Sequence, residues 1–300
     1  MQWQDVLLNS KVVLGSAIVT GFFLPGVAEA LNPFIIPLLV VLMSLSMKDV
    51  AFRDLNEYDR GDVLRLVGLN YLVLTSLYLV AGLTLLDDVN GSALILLGLM
   101  PPAVGIISLT YILKGDLETS FVAEFAGYAV AFIAVPLGSR LLFGEAVSIF
   151  EIIKTLAYVL ILPFILSRVL RVGEKAFGKL PKEFPKAVFN VCYGATFFAI
   201  VGSNRAAIVD NLFTVSVIAA IIVAIRFGMT LVTHNVLKDK CRVPLDVDYM
   251  LFSSFKNGGA AIGFTLLLLG PEYTLPLAVN AVIVPFHVVF LEWFSLDVLR

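Results

Sequence analysis

Ten apolar runs follow one another along the chain with only short polar breaks, near residues 7–24, 33–47, 63–86, 92–114, 117–143, 149–171, 185–204, 211–238, 247–269 and 274–296. A run of about 20 apolar residues spans the roughly 30 Å hydrocarbon layer of a bilayer as a helix. The succession therefore predicts an all-α membrane protein of ten transmembrane helices, one integral membrane domain over 1–300. Composition agrees, since 59% of residues are hydrophobic and 15% charged, far from the balance of a soluble domain. The net charge of -2 leaves no basic excess to attract nucleic acid. Membrane lipid is the expected surrounding.

Orientation follows from Lys and Arg. Lys48, Arg53, Arg60 and Arg65 flank the second loop, and Arg168, Arg171, Lys175, Lys179, Lys182 and Lys186 flank the sixth. Lys238, Lys240 and Arg242 lie in the eighth loop and Lys114 in the fourth, against only Arg140, Lys154 and Arg205 on the opposite side. The positive-inside rule then places both termini in the cytoplasm of a multi-pass cell-membrane protein. Met1 to Pro25 carries an early lysine, Lys11, without a small-residue cleavage site, and reads as the first span rather than a signal peptide. Cys192 falls in a span and Cys241 in a charged loop, which argues against a disulfide.

The longest polar stretch, Arg171 to Pro185, follows the sixth run, so the chain divides into six runs and four or, with the sixth run opening the second half, into five and five over about 7–143 and 149–296, the division adopted here. Five is odd, so the second set enters the membrane with the opposite polarity, the signature of an inverted repeat. The fourth run of each set is interrupted, by Pro101-Pro102-Ala103-Val104-Gly105 in the first and by Asn257-Gly258-Gly259-Ala260 in the second. Pro136 near the end of the first half's fifth run has a counterpart in Pro285 of the second half's. A broken membrane helix frees amides and carbonyls that hydrocarbon cannot satisfy, so such breaks survive where they line a cavity or hold a ligand. Half-helix N-termini suit an anionic group and C-termini a cation. The plainer alternative is a proline kink and a glycine contact between packed helices.

Ionisable residues at depth are the second signal, because a charge at the bilayer centre costs at least about 2.5 to 3.5 kcal/mol. Lys256 abuts the glycine break, Arg226 lies mid-span in the eighth run, Glu124 two turns into the fifth and His287 midway along the tenth. Lys256 and Glu124 are expected to meet beside the crossing, as an ion pair, a proton-exchanging couple or a purely structural link. Arg226 suits a bidentate carboxylate or sulfonate, or the end of a helix. His287 fits best as a partner for backbone groups freed by Pro285. Ser108, Thr110, Ser253, Ser254, Asn257, Asn70 and Asn280 bring hydroxyls and amides near the breaks, able to bind an ion or substrate or to join helices. No nucleotide-binding glycine loop, HExxH, GxSxG or Cys/His cluster occurs, so ATP-driven transport, metal sites and hydrolytic chemistry find no support and no cofactor is expected.

The stretch Pro101-Pro102 through Thr110-Tyr111-Ile112-Leu113-Lys114-Gly115-Asp116 to Ser120 resembles the fourth-helix signature of the bile acid:sodium symporter family. Lys256-Asn257-Gly258-Gly259-Ala260-Ala261, then Gly270-Pro271-Glu272 and Leu275-Pro276, looks like its ninth-helix motif and the loop after it. The resemblance implies a panel of helices 1, 2, 6 and 7, a core of 3 to 5 and 8 to 10 with helices 4 and 9 crossing, and sodium-coupled uptake of bile acids or smaller carboxylates. The chain departs from it at the family's sodium ligands. Ile106 and Ile107 stand where the family has a Ser-Asn pair, Phe252 where it has a glutamate, Lys256 a glutamine, Glu124 a threonine and Asn70 a glutamine. An ammonium cannot ligate Na⁺, but it can occupy the ion's place and charge. The reading is a secondary transporter of an organic anion by alternating access, not coupled to sodium in the family's usual way. Ser108, Thr110, Asn257, Gly258, Gly259 and Arg226 are its substrate candidates, and Lys256, Glu124, Asn70 and Ser253 its coupling candidates, with a proton as the ion they could carry. The alternatives are a sodium-coupled symporter with altered sites, a proton-gated channel, and an anion-sensing receptor. Monomer and homodimer are equally compatible with the sequence.

Overall fold

The computed structural model describes residues 7–48, 58–144, 148–177, 181, 183–237 and 243–298. Arg53, Lys179, Lys182, Lys238, Lys240, Arg242 and Cys241 lie outside these residues, as does the side chain of Lys175. The described chain is all-helical. In order it forms α1 (Ser10–Phe23), α2 (Asn32–Met47) and α3 (Arg60–Leu85), α4 (Asp88–Leu99), α5 (Ile106–Ile112) and α6 (Leu117–Phe143). There follow α7 (Ile149–Glu174) and α8 (Glu183–Ser203), α9 (Leu212–Leu237), α10 (Val243–Ser254), α11 (Gly258–Leu268) and α12 (Leu275–Val298). Six of the described helices are long and apolar enough to cross a membrane, and four shorter apolar ones accompany them.

Helix starts fall where the sequence offers a side-chain oxygen to the bare first-turn amides. Asp87 accepts from Val89 and Asn90 N–H at 3.1 and 3.0 Å, Asp116 from Thr119 N–H at 3.1 Å, and Asn257 from Ala260 N–H at 2.9 Å. Pro136 and Pro285 sit inside α6 and α12, which continue through them. Large apolar side chains coat the outside, Leu141 and Phe213 being 88% and 82% exposed. Such a coat is unfavourable in water and natural in lipid. The fold is that of a multi-pass membrane protein.

Two groups of helices are evident from the packing. In one, α1 and α2 pack on α8, and α2 on α7; in the other, α3 packs on α4 and α6, and α9 on α10 and α12. Close approach in each depends on missing side chains: a Cβ on Gly21 of α1 would lie 2.5 Å from the Phe198 carbonyl oxygen of α8, and one on Gly91 of α4 would lie 2.3 Å from that of Gly82 in α3. Across the junction α11 lies against α2 and α7. Lys48 at the end of α2 is joined to Glu174 of α7 at 2.6 Å. At one end of the second group, Asp62 of α3, Asp116 before α6, His234 of α9 and the start of α10 are tied by hydrogen bonds from or to Asp246, Asp248 and Tyr249.

Candidate functional site

The runs 92–114 and 247–269 are each divided, into α4 and α5 and into α10 and α11. The extended residues between them lie side by side: Pro102 and Lys256 form an isolated antiparallel bridge, and Asn257 N–H donates to the Pro101 carbonyl at 2.8 Å. Proline removes its own donor and disfavours helix in the residue before it, which is why α4 stops before Pro101-Pro102. Packing of α6 against this break depends on Gly127, where an added Cβ would sit 2.5 Å from Pro102 Cδ. Gly127→Val is expected to push Pro102 off the bridge and to lower stability by about 1–3 kcal/mol, read as the thermal midpoint of the detergent-purified protein. An unchanged midpoint would show that the break yields freely.

Each half-helix that ends at the crossing has one terminal carbonyl capped by a buried cation. Lys256 Nζ donates to the Met100 carbonyl at the end of α4 at 3.1 Å and to Thr75 Oγ1 at 3.0 Å, and lies 4.2 Å from the centroid of the Tyr71 ring. Three N–H groups thus have two oxygens and a ring face. Arg226 Nη1 donates to the Ser254 carbonyl at the end of α10 at 2.9 Å, while Nε and Nη2 donate to Asn280 Oδ1 at 3.0 and 2.8 Å. Its guanidinium lies 5.1 Å from the centroid of Phe255. Lys256 is 2% exposed and Arg226 fully buried, and among the described residues neither has a carboxylate within the 4 Å of an ion pair. Helix C-termini carry partial negative charge, which is what these cations meet instead.

The expected meeting of Lys256 with Glu124 is therefore corrected: they form no ion pair in this conformation. Lys256 reaches across to α3 and α4, whereas Glu124 on α6 faces the Tyr128 hydroxyl and the Ile107 amide, and its Oε2 has no partner. Asn70 adds to the capping of α10, its Nδ2 donating to the Phe252 and Phe255 carbonyls at 2.8 and 3.1 Å. Ser253 and Ser254 turn back on the Met250 carbonyl of their own helix at 2.9 and 2.7 Å, the nearest acceptor for a hydroxyl out of water. Neither is open to a ligand here. On α5, Ile106 and Thr110 are buried on one face one turn apart, and Ser108, about 200° round from Ile106, is exposed on the other. Ser108 and Thr110 thus lie on opposite faces of α5. His287 is buried against Phe255 and bonded to Thr230 Oγ1 at 2.9 Å, so a side-chain hydroxyl holds it rather than backbone freed by Pro285.

Gly258 and Gly259 open α11 half-buried. A Cβ on Gly259 would lie 3.5 Å from Leu39 Cδ2 of α2, and one on Gly258 3.0 Å from Asn280 Nδ2. The N-terminus of α11 thus faces the junction between the two groups of helices. The sequence reading overlooked Thr75 and Tyr71, which receive Lys256, and Asp248, which is fully buried. The one available signal for the first two was their spacing of four on the α3 face that carries Asn70.

Residues 36–225 match the Sodium Bile acid symporter family. The chain belongs to the sodium bile acid symporter family. Its members are transporters rather than enzymes, and the family points to a small organic anion as substrate. The family match takes in the first break and all of α6, and it ends one residue before Arg226. No curated protein matches this symporter-family chain by sequence.

Proposed function

We propose that this chain is a secondary carrier of an organic anion that works by alternating access and needs no sodium, because Lys256 and Arg226 are tethered where a mobile cation would be bound. In this reading ten spans in two inverted repeats place both termini in the cytoplasm. The group of α1, α2, α7 and α8 and the remaining helices move against each other about the crossing. The observation that carries it is the pair of buried cations, each seated on the carbonyl end of a broken half-helix and, among the described residues, without an acidic partner within reach. A bound sodium ion would compete for the same carbonyls, at a like charge within a few ångströms, which low-dielectric surroundings penalise. The substrate's anionic group is assigned to the first turn of α11, which Asn257 caps, where Gly258 and Gly259 are half-buried and Gly259 faces Leu39 of α2 across the junction, and where the helix N-terminus favours negative charge.

Thermal stabilisation of the purified protein by a panel of carboxylates and sulfonates, a bile acid included, tests the reading. At least one anion is expected to raise the midpoint equally in sodium and in choline buffer, in line with ligand linkage. That anion is then expected to show saturable counterflow in proteoliposomes. Stabilisation that requires sodium, or an ohmic current without counterflow, would overturn it.

A further inference from the structure

One face of α6 carries a polar stripe that the cations at the crossing leave unused. Asp116, Ser120, Glu124 and Tyr128 recur every four residues, so they lie one above the other over about 18 Å of helix. Ser120 is fully buried, Glu124 1% and Tyr128 9% exposed. At the Asp116 end the stripe meets Asp248 of α10, whose Oδ2 accepts from Asp116 N–H at 2.9 Å and which the Ser120 and Thr110 hydroxyls face. Thr110 Oγ1 donates to Ser120 Oγ at 3.1 Å. At the other end Asn257 Nδ2 reaches Tyr128 Oη at 3.4 Å, beside Lys256. Gly115 makes room for this arrangement, since a Cβ there would lie 2.4 Å from Asp248 Oδ1.

Two buried oxygens along this line are left without partners, Asp248 Oδ1 and Glu124 Oε2. A charged carboxylate so placed is strongly disfavoured, whereas a neutral carboxylic acid is not. The charged groups around them are otherwise engaged. Lys256 is held by Thr75 and Met100, Asp62 of α3 by Arg65 and Tyr249, and Tyr71 by the Gly127 carbonyl. Asp116 and Tyr128 are the remaining titratable groups that face the two acids.

We propose that this stripe is a proton path leading from Asp248, at the end of the bundle where α10 begins, through the Ser120 hydroxyl, which Thr110 holds in place, to Glu124 beside the crossing. It rests on the carrier reading above, for which it supplies the coupling ion. The transfer is a hydroxyl relay that runs once Glu124 has released its own proton at the crossing: the Asp248 O–H bond breaks as the Ser120 oxygen accepts that hydrogen, and Ser120 releases its own to the Glu124 carboxylate, leaving Asp248 to be reprotonated from its end of the bundle. One proton moves and Ser120 ends as it began. Ser120 and Glu124 are neighbours one turn apart, about 5–6 Å between Cβ atoms, so a rotamer change of Glu124 away from Tyr128 closes the gap.

Infrared spectroscopy of the full-length protein in nanodiscs tests this without a substrate. The wild type at neutral pH is expected to show carboxylic acid C=O absorption, with one component lost in Glu124→Gln and another in Asp248→Asn. After transfer to D₂O, the Glu124 component is expected to shift at least about tenfold more slowly in Asp248→Asn and in Ser120→Ala than in the wild type, the order of effect for removing a proton-transfer group. Absence of the acid band, a Glu124→Gln spectrum equal to the wild type, or exchange unaltered in Ser120→Ala would overturn the path. Ser120→Ala keeps the test open should Asp248→Asn not fold. Anion counterflow is measured on the same preparation: a path with these infrared signatures but no counterflow removes the carrier reading alone, and counterflow without them removes the path alone.

Discussion

Lys256→Met is expected to lower anion flux in proteoliposomes about 10- to 100-fold while the wild type transports equally with sodium or choline outside. Methionine keeps most of the lysine stem and so fills the site. It removes the charge and all three donors, leaving the Met100 carbonyl at the end of α4 without its partner and Thr75 without the ammonium. An unsatisfied buried carbonyl costs about 1–3 kcal/mol, and each 1.36 kcal/mol is tenfold in rate if the cost falls on the conformation that must be crossed. Uptake that requires a sodium gradient and survives this substitution would sink the proposal of tethered cations.

Arg226→Met is expected to act chiefly on stability, lowering it by about 2–5 kcal/mol in a denaturation series of the purified protein. It strands two buried acceptors, Ser254 O and Asn280 Oδ1, each worth about 1–3 kcal/mol when orphaned. Arg226→Lys is expected to recover only part of the loss, because a point-like ammonium lacks the planar fork that reaches Asn280 with two nitrogens and Ser254 with a third. Stability unchanged in Arg226→Met would show that the guanidinium does not hold the end of α10. Loss of anion binding in Arg226→Lys at unchanged stability would instead make it a substrate ligand.

The contrast between these two cations shows how much of the site was legible in the chain. Both stand out as charges in apolar runs, and both breaks announce themselves, because Pro101-Pro102 and Gly258-Gly259 interrupt helix through local backbone chemistry alone. Partner choice was not local. A lone lysine and a lone glutamate suggest each other by charge, yet Lys256 satisfies its donors on Thr75, Met100 and the Tyr71 ring, groups that carry no net charge and gave little signal. The faces of Ser108 and Thr110 show the same limit in a simpler form: proximity to the break does not carry the helical phase that sends the two to opposite sides of α5.

Hydropathy by itself determined that this is a helical, multi-pass chain with two interrupted segments, since lipid demands internally bonded backbone and short-range sequence records where that bonding fails. Membership of its family also follows from residue order. Which atoms meet was decided only by tertiary structure. Asn70 caps carbonyls 182 and 185 residues away, Arg226 finds Asn280 54 residues away, and the bridge of Pro102 to Lys256 joins two halves of the chain. Once water is absent, a buried donor is stabilised only by an acceptor within reach, and nearness across packed helices is a property of the fold rather than of any segment.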